Sequence, residues 1–155
     1  MPKLYLDSIP QTNKTGYPAP FDLPVQGRWY RRLAPASGLT EMGVSHVTLK
    51  PGAASSQRHW HAEEDEFVVI LAGEAVPIDD AGEHSMRPGD CASFPKGERN
   101  GHQLQNRGEV DCVFIAVSAG DKANDSGEYP DIDMVFGPDG YSRKDGTPYP
   151  EKGLP

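Results

Sequence analysis

Residues 52–66 read GAASSQRHWHAEEDE, and this stretch decides both the fold and the chemistry expected of the chain. His59 and His61 stand two positions apart, and Glu66 follows five residues after His61. If the segment is a strand, alternate side chains share a face, so the two imidazoles point the same way. Two imidazoles and a carboxylate that converge on one point suit a divalent transition metal. The stretch therefore predicts a metal site.

A second stretch supplies a third imidazole. Residues 89–106 read GDCASFPKGERNGHQLQN, which places His102 beyond a Pro/Gly turn and Asn106 four residues further on. A third nitrogen ligand and one carboxylate still leave open positions on an octahedral ion for water or a ligand. The second stretch therefore extends the predicted site to three histidines.

Together the two stretches resemble the paired signatures of the cupin superfamily, G-x5-H-x-H-x(3,4)-E-x6-G and G-x5-P-x-G-x2-H-x3-N. The matching residues are His59, His61, Glu66 and Gly73 in the first, and Gly89, Pro95, Gly97, His102 and Asn106 in the second. The chain departs from the signatures twice. Six residues instead of five separate Gly52 from His59, and four instead of two separate Gly97 from His102. The resemblance covers residues 40–118.

The resemblance implies an all-β fold, the cupin-type jelly-roll β-barrel or double-stranded β-helix. Composition favours the same class, because glycine (17) and proline (15) are abundant and short apolar runs alternate with turns. Such a pattern is typical of sandwiches and barrels. The predicted strands are residues 43–49, 67–71, 75–78, 91–94 and 110–117.

The chain divides into three predicted parts. An extended N-terminal arm spans residues 1–38, the barrel spans 39–118, and a C-terminal tail spans 119–155. The tail carries spaced aromatic residues, so we expect it to pack on the barrel or on a partner subunit. Extended flanks and the exposed edge strands of a lone sandwich together predict a homodimer.

Composition excludes several classes of protein. A chain of 155 residues suits a single domain. The net charge of −8 and the lack of a basic stripe argue against nucleic acid and against an anionic membrane surface. No apolar run approaches a membrane span, and the first residues lack the apolar segment of a secretory signal, so we expect a cytoplasmic protein. Cys91 and Cys112 are too few for a disulfide framework and are expected to be small buried residues in strands.

The resemblance implies that one divalent transition metal, Fe, Mn, Ni, Co or Zn, is bound by His59, His61, Glu66 and His102. Affinity alone does not select among these metals at a mixed nitrogen and oxygen site. Three neighbouring carboxylates compete with Glu66 for the ligand role, but Glu66 has the matching spacing. The competitors, expected in a solvated acidic turn, are Glu63, Glu64 and Asp65. Because a free imidazole titrates near pH 6.5, metal affinity is expected to fall below roughly pH 6.

Strand parity identifies candidates for the pocket wall. Gln57 shares a face with His59 and His61, whereas Arg58 and Trp60 take the opposite face. His46 lies in a predicted strand, where it either lines the cavity or serves as a structural histidine. Asn106 either shares the face of His102 or caps the turn that it begins.

These features predict a metal-dependent enzyme that acts on a small polar molecule. The resemblance implies that dioxygenase, decarboxylase, isomerase and lyase chemistry all remain open, because cupin-like sites serve each of them and a fold does not select a reaction. The protein would thus be an oxidoreductase, an isomerase or a lyase, and no residue of the sequence stands out as its catalytic acid or base. The alternative is a non-catalytic protein that binds or senses a small ligand through its metal.

Overall fold

A computed structural model describes residues 3–152 of the chain. Twelve strands and one turn of helix, α1 (Leu33–Ala36), form the regular structure of these residues, with 3-10 turns at Leu6–Ser8 and Leu23–Val25. The strands are β1 (Arg28–Arg32), β2 (Met42–Leu49), β3 (Trp60–His61), β4 (Glu64–Ala72), β5 (Val76–Asp79), β6 (Gly82–Glu83), β7 (Cys91–Phe94), β8 (Gln103–Gln105), β9 (Cys112–Gly120), β10 (Gly127–Tyr129), β11 (Met134–Gly137) and β12 (Gly140–Ser142). The predicted all-β architecture is confirmed.

The main sheet has five antiparallel strands in the order β1-β2-β9-β4-β7. Its strands alternate between a buried and a more exposed face, as the pleat of a β-strand requires. On β4, Val68 and Ile70 are buried whereas Phe67 and Leu71 are exposed. Glu66 belongs to the same inward set as Val68, so the barrel sequence itself directs this carboxylate to the interior.

A three-stranded sheet in the order β6-β5-β8 faces the main sheet. The core between them consists of Val47, Leu49, Ala53, Val68, Ile70, Ala75, Met86, Leu104, Cys112 and Phe114. A fully buried Leu, Ile or Phe side chain contributes roughly 1.5–3 kcal/mol. The barrel therefore has an apolar core of its own, separate from the histidines.

The flanks build a third sheet from the C-terminal hairpins and β3, in the order β12-β11-β10-β3. β10 pairs with β3 through Gly127 opposite His61 and Glu128 opposite Trp60. Aromatic and apolar residues of both flanks form a second cluster, here called the aromatic cluster: Tyr17, Val25, Tyr129 and Met134, with Phe21, Ile132, Phe136, Tyr141 and Tyr149 packed against them. Strand β10 of the tail thus pairs with β3 of its own chain. Residues 1–2 of the predicted arm and 153–155 of the predicted tail lie outside the described residues.

One glycine of the first signature meets a strict steric requirement. Gly73 has a φ of +69°, and a Cβ atom there would lie 2.3 Å from the Asp111 carbonyl oxygen. No side chain fits at that distance, so the β4–β5 turn needs glycine. The close approach of the Asp111 backbone therefore restricts this position of the signature, seven residues after Glu66, to glycine.

Two smaller expectations are settled by burial. Cys112 is buried in the core as predicted, but the prediction for Cys91 is wrong, because Cys91 is exposed at the start of an edge strand. Within residues 3–152, no helix combines the length and the apolarity that a bilayer crossing requires.

Candidate metal centre

The two histidines of the first stretch lie next to each other in the structure. His59 forms a bridge with His102, and His61 belongs to β3. Their Nε2 atoms lie 3.0 Å apart. His59, His61 and Glu66 form a group whose ligand atoms all lie within 4.8 Å of one another. That is the size of a site for one metal ion.

The protonation of the two rings follows from their outer nitrogens. His59 Nδ1 lies 2.9 Å from the Gln57 carbonyl oxygen, which can only accept a hydrogen bond. His61 Nδ1 lies 2.5 Å from Asp125 Oδ2, which as a carboxylate also accepts. In the neutral form of each ring the proton is therefore on Nδ1 and the lone pair is on Nε2.

Two nitrogen lone pairs thus face each other at 3.0 Å. Such an arrangement is repulsive unless a cation lies between or beside the two atoms. The outer nitrogens bond to a carbonyl and a carboxylate, as metal-bound histidines usually do. The residues therefore fit a divalent metal.

Glu66 and His102 complete the predicted set of four. Glu66 Oε2 lies 2.6 Å from His102 Nε2, 3.5 Å from His61 Nε2 and 3.8 Å from His59 Nε2. The His102 ring stacks on Phe94 with centroids 3.7 Å apart. The longer turn before His102 does not carry it away, because its backbone pairs with that of His59. The structure brings all four residues together.

Asp125 is a site residue that the sequence analysis missed. It is 6% exposed, and besides His61 it accepts a hydrogen bond at 2.9 Å from the Glu63 backbone N–H. Asp125 lies 64 positions after His61, in the predicted tail, where no spacing links it to either signature. Its carboxylate fixes the orientation of the His61 ring.

The prediction of a solvated acidic turn is wrong for one of its three carboxylates. Glu63 and Asp65 are exposed, but Glu64 is 8% exposed, with a carboxylate oxygen 3.9 Å from His61 Nδ1. Glu64, His61 and Asp125 form a second group of potential ligands. Burial raises the pKa of the Glu64 carboxyl, an effect that the neighbouring His61 opposes.

Burial and neighbouring groups shift two of the proposed ligands. Burial lowers the pKa of His59 to about 4, although the Glu66 carboxylate acts in the opposite direction. Burial alone would raise the pKa of Glu66, but the hydrogen bond from His102 and the nearby imidazoles lower it to about 2. Near neutral pH, His59 is therefore neutral and Glu66 is ionised, which are the forms that bind a metal.

The remaining pocket candidates do not line the cavity beside the ligands, and the side chains of Gln57 and Asn106 have structural contacts instead. The Gln57 side chain donates to the Phe21 carbonyl oxygen at 2.8 Å. Asn106 is buried and caps its turn: it donates to the Leu49 and Val110 carbonyl oxygens and accepts from the Gly108 N–H. His46 has the strand parity opposite to buried Val47, and its Nδ1 has no hydrogen-bond partner among residues 3–152.

A cavity of about 600 Å³ opens on His59 and His102 from inside the barrel. His59, Glu66 and His102 line one part of it, and Glu64 lies beside them. The aromatic cluster packs against the outer side of the same histidines, since Tyr129 lies 5.7 Å from the His59 ring and Phe136 lies 5.1 Å from the His61 ring. A small molecule in this cavity would reach the metal site directly.

Metal affinity is expected to fall on acidification, with proton competition at His59 setting in at a lower pH than the sequence alone predicts. Burial keeps His59 neutral down to about pH 4, so protons compete with the metal for this ring mainly below about pH 5. Glu66 adds to the loss only near pH 2. Competition titrations with a metal indicator at pH 8, 5 and 3.5, with circular dichroism to follow folding, check this order. Equal affinities at pH 8 and 3.5 would rule out histidine ligation.

Comparison with known proteins shows which protein family the chain resembles. A family model described as "Cupin domain" matches residues 45–118. The structure of a sugar phosphate isomerase from a cupin superfamily, from Silicibacter pomeroyi, is 44% identical, with a TM-score of 0.90 over 96% of this chain and 97% of that one. A protein of Acidithiobacillus ferrooxidans, provisionally called a sugar phosphate isomerase, is 25% identical, with a TM-score of 0.68 over 74% of each chain.

A curated relative matches about half of the chain. The oxalate-binding protein of Thermotoga maritima is 34% identical over 73 residues, which are 47% of this chain and 58% of that protein. The matches span little more than half the length of the curated relatives.

Proposed function

Because the chain belongs to the cupin superfamily, we propose that it is a metal-dependent isomerase of a small phosphorylated sugar. The observation that carries the proposal is the pair of Nε2 lone pairs of His59 and His61 that face each other beside Glu66. The choice of reaction is supported by the Silicibacter pomeroyi protein, which is 44% identical over nearly its whole length and is called a sugar phosphate isomerase.

The ligands of the metal would be His59, His61, Glu66 and His102. When bound, a divalent ion there supplies a Lewis acid that polarises a carbonyl or hydroxyl oxygen of the sugar. Asp125 and the Gln57 carbonyl oxygen hold the rings of His61 and His59 in the tautomer that presents the Nε2 lone pair toward Glu66. The aromatic cluster packs behind these rings and limits the access of water from that side.

The chain also supplies a group that can move a proton. Interconversion of an aldose and a ketose removes a proton from the carbon that bears the hydroxyl and returns one to the neighbouring carbon, with no external oxidant or reductant. Glu64 lines the cavity next to the proposed ligands, faces inward on β4 and is buried. Its position makes it the base for this transfer.

Oxalate binding is a second candidate, favoured by the Thermotoga maritima relative. A dicarboxylate can occupy two neighbouring positions on a metal, so the same four residues would serve. A two-carbon dianion would fill only a small part of the cavity of about 600 Å³, whereas a sugar phosphate would use its length. The size of the cavity therefore favours the sugar phosphate.

The proposed reaction is tested with protein reconstituted separately with Fe, Mn, Ni, Co or Zn under argon. Aldose phosphates are incubated in deuterated water, and NMR follows both the interconversion and the uptake of deuterium at the neighbouring carbon. We expect metal-dependent turnover with at least one metal. Absence of turnover with all five, together with tight oxalate binding, would favour the second candidate.

Glu64 is tested with a neighbouring carboxylate as control. Glu64→Gln is expected to lower kcat by about 100-fold or more, as loss of a general base does, with metal content unchanged. Glu63→Gln removes the same charge from an exposed side chain and is expected to retain activity. Equal activities of the two variants would remove Glu64 from the mechanism.

The predicted homodimer has a candidate interface on the outer face of the main sheet. Phe67 and Leu71 are exposed there, on a strand whose alternate residues form the core. An apolar sheet face of this kind usually covers another surface. Light scattering at micromolar concentration is expected to give about twice the chain mass of 16.9 kDa, and Leu71→Asp is expected to lower it. A wild-type mass of one chain would contradict the prediction.

A further inference from the structure

Two arginines of β1 line the same cavity as the metal site. Arg28 and Arg32 alternate with Tyr30, so the pleat of the strand places all three on the face that lines the cavity, where the Arg32 side chain remains exposed. Both guanidinium groups lie over the Tyr30 ring, 5.3 Å and 5.9 Å from its centroid. Lys122 lines the cavity as well. The wall therefore carries three positive charges.

None of these three side chains has a carboxylate partner within 4 Å among residues 3–152. Two other arginines of the barrel are ion-paired, Arg58 with Asp131 and Arg107 with Glu83. The cationic groups in the cavity are thus available to a ligand.

Arg28 is the least solvated of the three. Its Nη1 donates to the Ser55 carbonyl oxygen at 2.8 Å, which fixes the guanidinium group in place. Its Nε is buried and has no hydrogen-bond partner among the described residues. A buried donor without a partner is costly, and an oxygen atom of a bound ligand would satisfy it.

The charge balance of the cavity favours an anion once the metal site is filled. Three carboxylates also line the cavity: Glu41, Glu64 and Glu66. A divalent ion at Glu66 would leave the cavity positive, inside a chain with a net charge of −8. A positive cavity in an acidic protein concentrates anionic ligands.

The register of the main sheet separates the arginines from the proposed metal. Arg32 pairs with Ser45, which pairs with Ala116, which pairs with Val68, two residues after Glu66. Three strand spacings make ~14 Å along the sheet, and the straight path across its concave face is shorter. A ligand that reaches both places has its anionic group at one end and its oxygen-bearing carbons at the other.

We propose that Arg28 and Arg32 form the subsite that binds the phosphate group of the substrate. The inference rests on the proposed isomerase function for the identity of the substrate, but the subsite itself requires only an anion. Guanidinium groups suit phosphate because their planar donors form paired hydrogen bonds with its oxygens. The metal then meets the far end of the molecule.

The subsite is tested by titrating protein reconstituted with Zn with inorganic phosphate, followed by NMR shifts and calorimetry at fixed ionic strength. Arg32→Gln changes an exposed side chain and leaves the core intact. It is expected to weaken phosphate binding by about tenfold or more, the size of effect typical of a lost charge-assisted hydrogen bond. Arg28→Lys keeps the positive charge but loses the paired donors of the guanidinium group. It is therefore expected to weaken phosphate binding as well.

Arg87→Gln is the matched control, because Arg87 is exposed and lies outside the cavity. It is expected to bind phosphate like the wild type. In assays with metal-loaded protein, Arg32→Gln is expected to raise KM for the phosphorylated sugar at unchanged metal content. Equal weakening in Arg32→Gln and Arg87→Gln, or none in either arginine variant of β1, would overturn the subsite.

The two proposals fail in different ways. Phosphate binding that depends on Arg28 and Arg32 without any isomerisation would contradict the isomerase and support the anion subsite. Isomerisation of sugar phosphates with phosphate binding that ignores both arginines would support the isomerase and overturn the subsite.

Discussion

Replacing His59 by alanine is expected to lower metal affinity at least a hundredfold and to leave the protein folded. Removing a residue that only hydrogen-bonds to a metal ligand lowers metal affinity by about 10- to 100-fold. Removing a ligand itself should lower the affinity by more than that. The fold should persist because the core lies between the main and three-stranded sheets, away from this ring. Elemental analysis after reconstitution measures the metal, and circular dichroism with thermal melting measures the fold.

The control for this experiment is His84→Ala. His84 is exposed and lies near Asp79 on the hairpin between β5 and β7, so its removal is expected to leave metal content unchanged. His61→Ala should also lose the metal, with some added loss of stability because Asp125 stays buried without its imidazole partner. Wild-type metal content in both His59→Ala and His61→Ala would contradict the site.

Asp125→Asn is expected to lower metal affinity by about 10- to 100-fold while all four proposed ligands remain. The physical reason is that the carboxylate accepts a hydrogen bond from His61 Nδ1–H, with 2.5 Å between the nitrogen and the oxygen. This bond holds the ring with Nε2 toward Glu66. An amide keeps the shape but removes the charge and one acceptor. Chelator competition at constant pH gives the affinity.

Asp139→Asn provides the comparison, because Asp139 is an exposed turn residue of the same C-terminal segment and loses the same charge. Its metal affinity is expected to equal that of the wild type. If Asp125→Asn also binds metal like the wild type, the carboxylate does not raise metal affinity by orienting the His61 ring. The proposed role of Asp125 would then be wrong.

The strand positions could be predicted from the sequence because they depend on patterns within short segments. All five predicted apolar runs fall largely on strands, here β2, β4, β5, β7 and β9. Alternation along β4 explains why Glu66 faces inward, since burial repeats every second residue. The same alternation would have identified Glu64 as an inward residue, had the acidic run not been interpreted as a turn.

Two short-range details could not be inferred from composition. Cys91 is exposed because β7 lies at the edge of the main sheet. The residues of a strand do not by themselves determine its position within a sheet. The strands of the C-terminal segment are three or four residues long, too short for alternation to stand out. Their aromatic residues predicted packing but not the sheet that they form with β3.

The sequence by itself determined the all-β class and the four side chains proposed as ligands, because both depend on spacing within short segments. Only the tertiary structure paired Asp125 with His61 across 64 positions and turned Arg28 toward the cavity that Glu66 lines. These contacts arise when strands distant in the chain close around one core. Each residue then meets partners chosen by strand order and register, which no local pattern of its own segment encodes.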